Sequence, residues 1–166
     1  PCSPDEAVVI NTFLNESKQK PDVAVVVVDI NHLKRNLFIF TQIKDLQIPV
    51  VLALNMSDTL PKNGLLIDIE KLEAELQCKC VLISSRKKMG LNELKAAISV
   101  YETIPSNPII DVSSIDETFF EELKAKHKNQ SVYRTWLKIT QCNYLSGSTA
   151  EYKELYNSHE VALTQL

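Results

Sequence analysis

The segment Val23-Ala24-Val25-Val26-Val27-Val28 limits the fold more than any other stretch of the chain. It is β-branched almost throughout and shows no polar alternation. Such a run predicts a central parallel strand, covered on both faces and hydrogen-bonded on both sides. Two more short apolar runs follow, Val50–Leu54 and about Cys80 to Ile83, each ending in a polar turn. Helical patterns lie before, between and after them. Ser3, Pro4 and Glu6 form a capping signal ahead of Val9, Ile10, Phe13 and Leu14, which predicts a helix to about Ser17. Asp29 closes the first strand, and Asn31 is placed to cap a helix running to about Leu46. That helix carries Leu33, Leu37, Phe40 and Ile43 on one face, with Lys34, Arg35, Lys44 and Asp45 elsewhere. After a loop with Pro61 and Asn63-Gly64, Asp68 caps a helix holding Ile69, Leu72 and Leu76, and Leu91, Leu94, Ile98 and Tyr101 mark a further one. The order α-β-α-β-α-β-α predicts a parallel α/β sheet of three strands with flanking helices and right-handed crossovers.

Past Ile104 no strand pattern returns. Pro105-Ser106-Asn107-Pro108 reads as a linker, and the boundary falls there: 1–104 is α/β and 105–166 is a small all-helical subdomain. Ser114 with Glu117 starts a helix bearing Phe119, Phe120 and Leu123; Ser131 caps one with Val132, Trp136, Leu137 and Ile139; Ser148 with Glu151 starts the last. Trp136 is expected to pack within this subdomain.

Bulk properties exclude several classes. A net charge of −3 leaves no electrostatic footprint for nucleic acid. The longest apolar run is far too short to span a bilayer. Cys2, Cys78, Cys80 and Cys142 form neither a disulfide framework nor a metal set, so a reducing, cytoplasmic setting is the default, with Cys78 and Cys80 as small buried hydrophobes. His32, His127 and His159 read as isolated surface residues, and Lys87-Lys88 as a solvated loop. The chain opens on Pro1 with a capping signal already under way, so we expect it to be the interior of a longer protein.

Function is concentrated where the strands end. Val50–Leu54 stops at Asn55-Met56-Ser57-Asp58. In open α/β sheets ligands sit just beyond the carboxyl ends of strands. A carboxylate there accepts only, which suits a donor-rich edge such as the N1–H and amine of guanine, whereas an Asn amide both donates and accepts. Taken alone, Asn-x-x-Asp is also an ordinary turn motif, as it would be in a flavodoxin-like or receiver-like domain.

Together with Ser84-Ser85-Arg86 after the next strand, the pattern resembles the second half of a Ras-like guanine-nucleotide-binding domain, where Asn-Lys-x-Asp and Ser-Ala-Lys occupy those two strand ends. Ser3-Pro4-Asp5-Glu6 is similar to the start of the helix after the second switch. Lys20-Pro21-Asp22-Val23, followed by Asp29 to Leu37, resembles the ferrous iron transport protein B (FeoB) family, as do Asn55-Met56-x-Asp58, with Met for Lys, and Tyr133 to Ile139. The resemblance implies a partial Ras-like P-loop NTPase sheet followed by the family's helical subdomain. It implies GTP or GDP as ligand: Asp58 on the guanine N1–H and amine, Asn55 near N7 and O6, and Met56 against the purine face. The Ser84–Arg86 turn would supply a backbone N–H to O6, Ser85 being the expected donor, with the Arg86 stem over the base.

No Gly-x-x-x-x-Gly-Lys-Ser/Thr, first-switch Thr or second-switch Asp-x-x-Gly is matched in these 166 residues. The resembled family is a slow GTPase that works with Mg²⁺, but catalysis of phosphoryl transfer lies in those parts. This stretch is expected to recognise a base and not to hydrolyse GTP alone. The implied partners are the missing N-terminal half of the domain and a transmembrane iron-permease domain, at the inner face of a bacterial plasma membrane. The alternative is a nucleotide-independent interaction or regulatory module. Residues upstream of Pro1 should contain Asp-x-x-Gly, which sequencing of the full gene checks.

Overall fold

A computed structural model describes residues 8, 11–14, 21–109, 117–127, 131–142 and 150–163. The chain divides into two compact units, Asp22–Ile110 and the combination of Pro1–Pro21 with Asp111–Leu166.

In the first unit β1 (Ala24–Asp29), β2 (Val50–Asn55) and β3 (Lys79–Leu82) form a sheet in the order β1-β2-β3. Both pairings are parallel: Ala24 faces Val50 and Asp29 faces Asn55, while Val51 faces Lys79 and Leu54 faces Leu82. The α/β class and the parallel sense follow the sequence reading. β2 is the centre of the core, with Val50 to Leu54 all at 0% exposure. Burying one such side chain contributes roughly 1.5–3 kcal/mol, so this strand is the firmest element of the unit. Around the sheet run α1 (Leu33–Asp45), α2 (Ile69–Leu76) and α3 (Leu91–Ser99). Asp68 caps α2 by accepting the Lys71 backbone N–H at 3.0 Å, as its position before the apolar pattern predicts.

Three local features differ from the sequence reading. Among the described residues β1 is the end strand of the sheet, and its residues alternate, with Val26 and Val28 buried but Val25 and Val27 37% and 59% exposed. Among the described residues β1 pairs only with β2 and one of its faces lies open. Unbroken valines report what a strand tolerates, whereas coverage depends on what packs against it. Second, Asn31 does not cap α1. Asp29 accepts the Asn31 N–H at 2.9 Å and starts a 3₁₀ turn, Ile30–His32, that leads into the helix. Third, Lys44 and Asp45, read as lying off the apolar face, are nonetheless buried, at 0% and 1% exposure. The Lys44 ammonium donates to the Gln77 carbonyl at 2.5 Å and to that of Pro105, and Asp45 accepts the Ile109 N–H at 2.8 Å. Charged groups enter an interior when such partners satisfy them.

The other unit contains α4 (Glu117–Lys126), α5 (Val132–Thr140) and α6 (Ala150–Leu163). Phe119, Phe120, Leu123 and Ile139 form its core, and Trp136, Tyr152, Leu155 and Tyr156 pack against it. Ser131 caps α5 through the Arg134 N–H. The Arg134 guanidinium also donates to the Phe13 carbonyl at 2.6 Å, which ties the helical residues Asn11–Leu14 to α5. The capping residues Ser3–Glu6, Ser114 and Ser148, and the break at Gly147, lie outside the described residues. No described helix is long and apolar enough to cross a membrane.

Two glycines differ in what they do. Gly64 has φ 62° with nothing within 4 Å of an added Cβ; Gly90 has φ 75°, and a Cβ there would lie 2.0 Å from the Leu82 carbonyl oxygen. Gly64→Ala should therefore lower stability by about 1–2 kcal/mol, the strain of a left-handed alanine. Gly90→Ala should lower it by more than about 3 kcal/mol, because backbone must move. Denaturant melts of the two variants measure the gap.

Candidate functional site

The chain leaves β2 at Asn55 and reverses through Met56, whose φ of 64° is uncommon for a residue with a side chain. Ser57–Thr59 then form one 3₁₀ turn, closed by the Thr59 N–H on the Met56 carbonyl at 2.9 Å. The ladder between β2 and β3 continues past the strands: the Ile83 N–H donates to the Leu54 carbonyl at 2.9 Å, and the Ser57 N–H to the Ile83 carbonyl at 3.1 Å. After β3, Ser84 and Met89 exchange two backbone bonds of 3.1 Å and close a tight loop over Ser85–Lys88. Both loops thus lie at one edge of the sheet.

Side chains lock the loops together. The Ser84 hydroxyl, 1% exposed, donates to Asp58 Oδ1 at 2.8 Å and accepts the Lys87 N–H at 3.3 Å. The Arg86 guanidinium donates to Asp58 Oδ2 at 2.6 Å, and Lys87 Nζ stands 3.8 Å from the same oxygen. The Ser85 N–H donates to Asn55 Oδ1 at 3.1 Å. The Ser84 hydroxyl bond first, then the bond and charge of Arg86, hold the Asp58 carboxyl below the ordinary carboxylate range. Its side chain is 4% exposed, so it is an ionised acceptor set into the surface. Met56 is 42% exposed at the same turn.

Asn55, Asp58, Ser84, Ser85 and Arg86 therefore belong to one bonded cluster, with Met56 beside it. Two details were not legible in the sequence. The Ser85 N–H, expected on a ligand oxygen, is engaged by Asn55, and the Arg86 guanidinium, expected over a base, sits on Asp58. A ligand presenting paired donors to Asp58 must displace Arg86 from Oδ2. Lys87, expected in solvent, belongs to the cluster too.

A second polar group was missed altogether. Asn31 Nδ2 donates to Asp29 Oδ1 at 3.0 Å and to the Thr59 hydroxyl at 3.1 Å, and Asn63 Nδ2 donates to Asn31 Oδ1 at 2.9 Å. His32 Nδ1 bonds Asp29 Oδ2 at 3.0 Å, so this exposed histidine is not isolated. These bonds tie the end of β1 to the turn that carries Asp58. The only signal in the sequence was Asp29 itself, a carboxylate at a strand end. Among the described residues no group of three or more His, Cys, Asp or Glu side chains is arranged to hold a metal ion.

A parallel α/β sheet with these two loops at its carboxyl edge is the second half of a Ras-like G domain. The family model of ferrous iron transport protein B matches residues 1–98, more than half of the chain. The chain belongs to that family, as part of its G domain. It is 39% identical over 134 residues to the Fe(2+) transport protein A/Fe(2+) transporter FeoB fusion protein of Porphyromonas gingivalis, covering 78% of this chain and 16% of that protein. Against the Fe(2+) transporter FeoB of Escherichia coli K12 it is 38% identical over 81 residues, 49% of this chain and 10% of the relative. The chain thus spans a small part of the curated relatives it matches. The cytosolic domain of L. pneumophila FeoB superimposes with a TM-score of 0.73 at 26% identity, covering 98% of this chain and 63% of that one. The FeoB G domain of Methanococcus jannaschii gives 0.55 at 40% identity, with 60% of each chain covered. A variant of S. thermophilus NFeoB bound to GDP gives 0.72 at 28% identity, covering 99% and 67%.

The depressed Asp58 carboxyl makes a signed prediction. A carboxylate whose folded pKa lies below its unfolded one contributes stability that is complete above the unfolded value, about pH 4, and is lost as pH falls through the folded value. Ser84→Ala removes the largest cause of that depression, so the Asp58 midpoint should rise toward the ordinary value. Side-chain carboxyl NMR across the acid range measures it; an unmoved midpoint would assign the shift to other groups.

Proposed function

We propose that this chain is the guanine-recognising part of the GTP-binding domain of a ferrous iron transporter. The observation that carries the reading is Asp58: a carboxylate held ionised by Ser84 at the carboxyl edge of a parallel sheet, cross-tied to Asn55 through Ser85. Asp58 accepts the N1–H and amine of guanine in place of the Arg86 guanidinium, whose donor pair resembles that edge of the base. Asn55 faces the N7 and O6 side, the Ser85 N–H turns from Asn55 Oδ1 to O6, and the exposed Met56 thioether lies on the purine face. Supporting this reading, one similar protein is a form of S. thermophilus NFeoB bound to GDP and another a form bound to GMPPNP.

The phosphates and Mg²⁺ are held elsewhere. The 166 residues contain no phosphate-loop sequence, which assigns phosphate and Mg²⁺ binding to the N-terminal half of the domain in this reading. We place 1–104 in the G domain and 105–166 in its helical subdomain. The partners are the N-terminal half of that domain, whose strand pairs with the open edge of β1, and the membrane permease whose Fe²⁺ uptake bound GTP or GDP regulates. The setting is the cytoplasmic face of the bacterial membrane.

Thermal-shift and calorimetric titrations test the base. GDP and guanosine should both stabilise the chain, because the recognised part is shared, whereas ADP should not. Asp58→Asn should weaken guanosine by roughly a hundredfold and turn the preference toward xanthosine, which replaces the amine donor with a carbonyl. Equal binding of GDP and ADP, with no change in Asp58→Asn, would favour the nucleotide-independent interaction module.

A further inference from the structure

The base loop follows the end of β3; a different chemistry sits at its beginning. Gln77 ends α2 in a left-handed conformation, φ 48°, and delivers Cys78 to the start of β3, with Cys80 two residues on. Residues two apart in a strand share a face. The two thiols accordingly stand 3.8 Å apart, sulfur to sulfur, with Cys78 5% and Cys80 7% exposed. Cys78 also lines a cavity of about 490 Å³, shared with Glu73, Gln77, Thr103 and Pro105. The Lys44 ammonium is buried against this corner, on the Gln77 and Pro105 carbonyls. Glu73 braces the strand start, accepting the Cys80 N–H at 2.9 Å and the Lys79 ammonium at 3.2 Å.

We propose that Cys78 and Cys80 form a peroxide-reactive dithiol, a modification site in this cavity that closes reversibly to an intramolecular disulfide. The substrate class is hydrogen peroxide or a small hydroperoxide, of a size to enter a space that admits water.

The charges around the pair assign the order of events. A hydrogen bond from Cys80 is the largest influence favouring the Cys78 thiolate, and Lys44 adds to it; burial and Glu73 oppose. Cys80 is pushed the other way, by Cys78 first and by burial next, so it keeps its proton. A pair of adjacent thiols in which the thiolate is favoured at Cys78 and the proton at Cys80 is the starting point of a two-step oxidation. Cys78 sulfur attacks one peroxide oxygen; the O–O bond breaks, leaving Cys78 as a sulfenic acid and releasing hydroxide, which becomes water. Cys80 then attacks the Cys78 sulfur; the S–O bond breaks, and the departing hydroxide takes the Cys80 proton. Two thiols and one peroxide give one disulfide and two waters, two electrons passing from sulfur to oxygen. The sulfurs have less than about 2 Å to close. Oxidation removes the anion beside Lys44, the residue that also holds the 105–109 segment through Pro105. Two ligands do not make a metal site of ordinary coordination, and no third group joins them among the described residues.

The folded chain treated with hydrogen peroxide, alkylated and digested with trypsin tests the proposal. Cleavage after Lys79 separates the two cysteines, so the expected product is Leu72–Lys79 joined to Cys80–Arg86, lost on reduction, while the buried Cys142 remains a free thiol. In Cys80→Ser, Cys78 should accumulate as a sulfenic acid captured by dimedone. In Cys78→Ser, oxidation at Cys80 should slow by about tenfold or more. The wild-type rate should stay high below the pH at which an ordinary thiol protonates. Recovery of both thiols unmodified, cross-links only between chains, linkage only after unfolding, or equal oxidation of Cys142 would each overturn the assignment. The linked wild-type peptide requires no variant to fold.

Discussion

The two bonds made by Ile83, its N–H to Leu54 and its carbonyl from Ser57, carry the parallel ladder one step beyond the strands and fix the geometry of everything at that edge. Parallel strands end on the same side of a sheet, so a shared ladder brings their exit loops together without further design. Here the extension also sets their register. Asp58 then comes within 2.8 Å of Ser84, and Asn55 within 3.1 Å of the Ser85 nitrogen. Gly90 protects the arrangement from below, since a side chain there would meet the Leu82 carbonyl.

Electrostatics at this edge are preorganised. The oxygens of Asp58 are satisfied in the structure by a hydroxyl and a guanidinium, so the carboxylate stays charged and oriented. Exchange of Arg86 for another paired donor keeps the number of bonds at Oδ2 constant. The site is thereby open to a ligand that offers the same donor pattern, whereas one presenting acceptors would face a charged acceptor at hydrogen-bond distance. The Ser84 hydroxyl that bonds Oδ1 is buried, 1% exposed, apart from the exposed Arg86.

The opposite end of the sheet is organised by buried charge. Lys44 and Asp45 close α1 by gripping carbonyls and an N–H of segments far along the chain, at Gln77, Pro105 and Ile109. Cys78 and Cys80 occupy the same corner. An ammonium and a dithiol placed together in an apolar setting interact more strongly than they would in water.

Much of this protein follows from local sequence. The valine run, Val50–Leu54 and the capping Asp68 and Ser131 specify strands and helices through β-branching, burial and orphan N–H groups, all of which act within a few residues. The polar ends Asn55-x-x-Asp58 and Ser84-Ser85-Arg86 mark the carboxyl edge of the sheet, because strand direction alone places them. What tertiary structure decided depends on distance through space. Only the packed sheet shows that β1 has one open face, that Asp29 and not Asn31 starts the turn into α1, that Lys44 and Asp45 are interior, and that Arg86 rests on Asp58. Asp29 takes the turn by a local bond to the Asn31 N–H that competes with the cap expected of Asn31. Lys44, Asp45 and Arg86 depend on partners 28 to 64 residues away and β1 on whether anything covers its surface, none of which is encoded in periodicity or spacing.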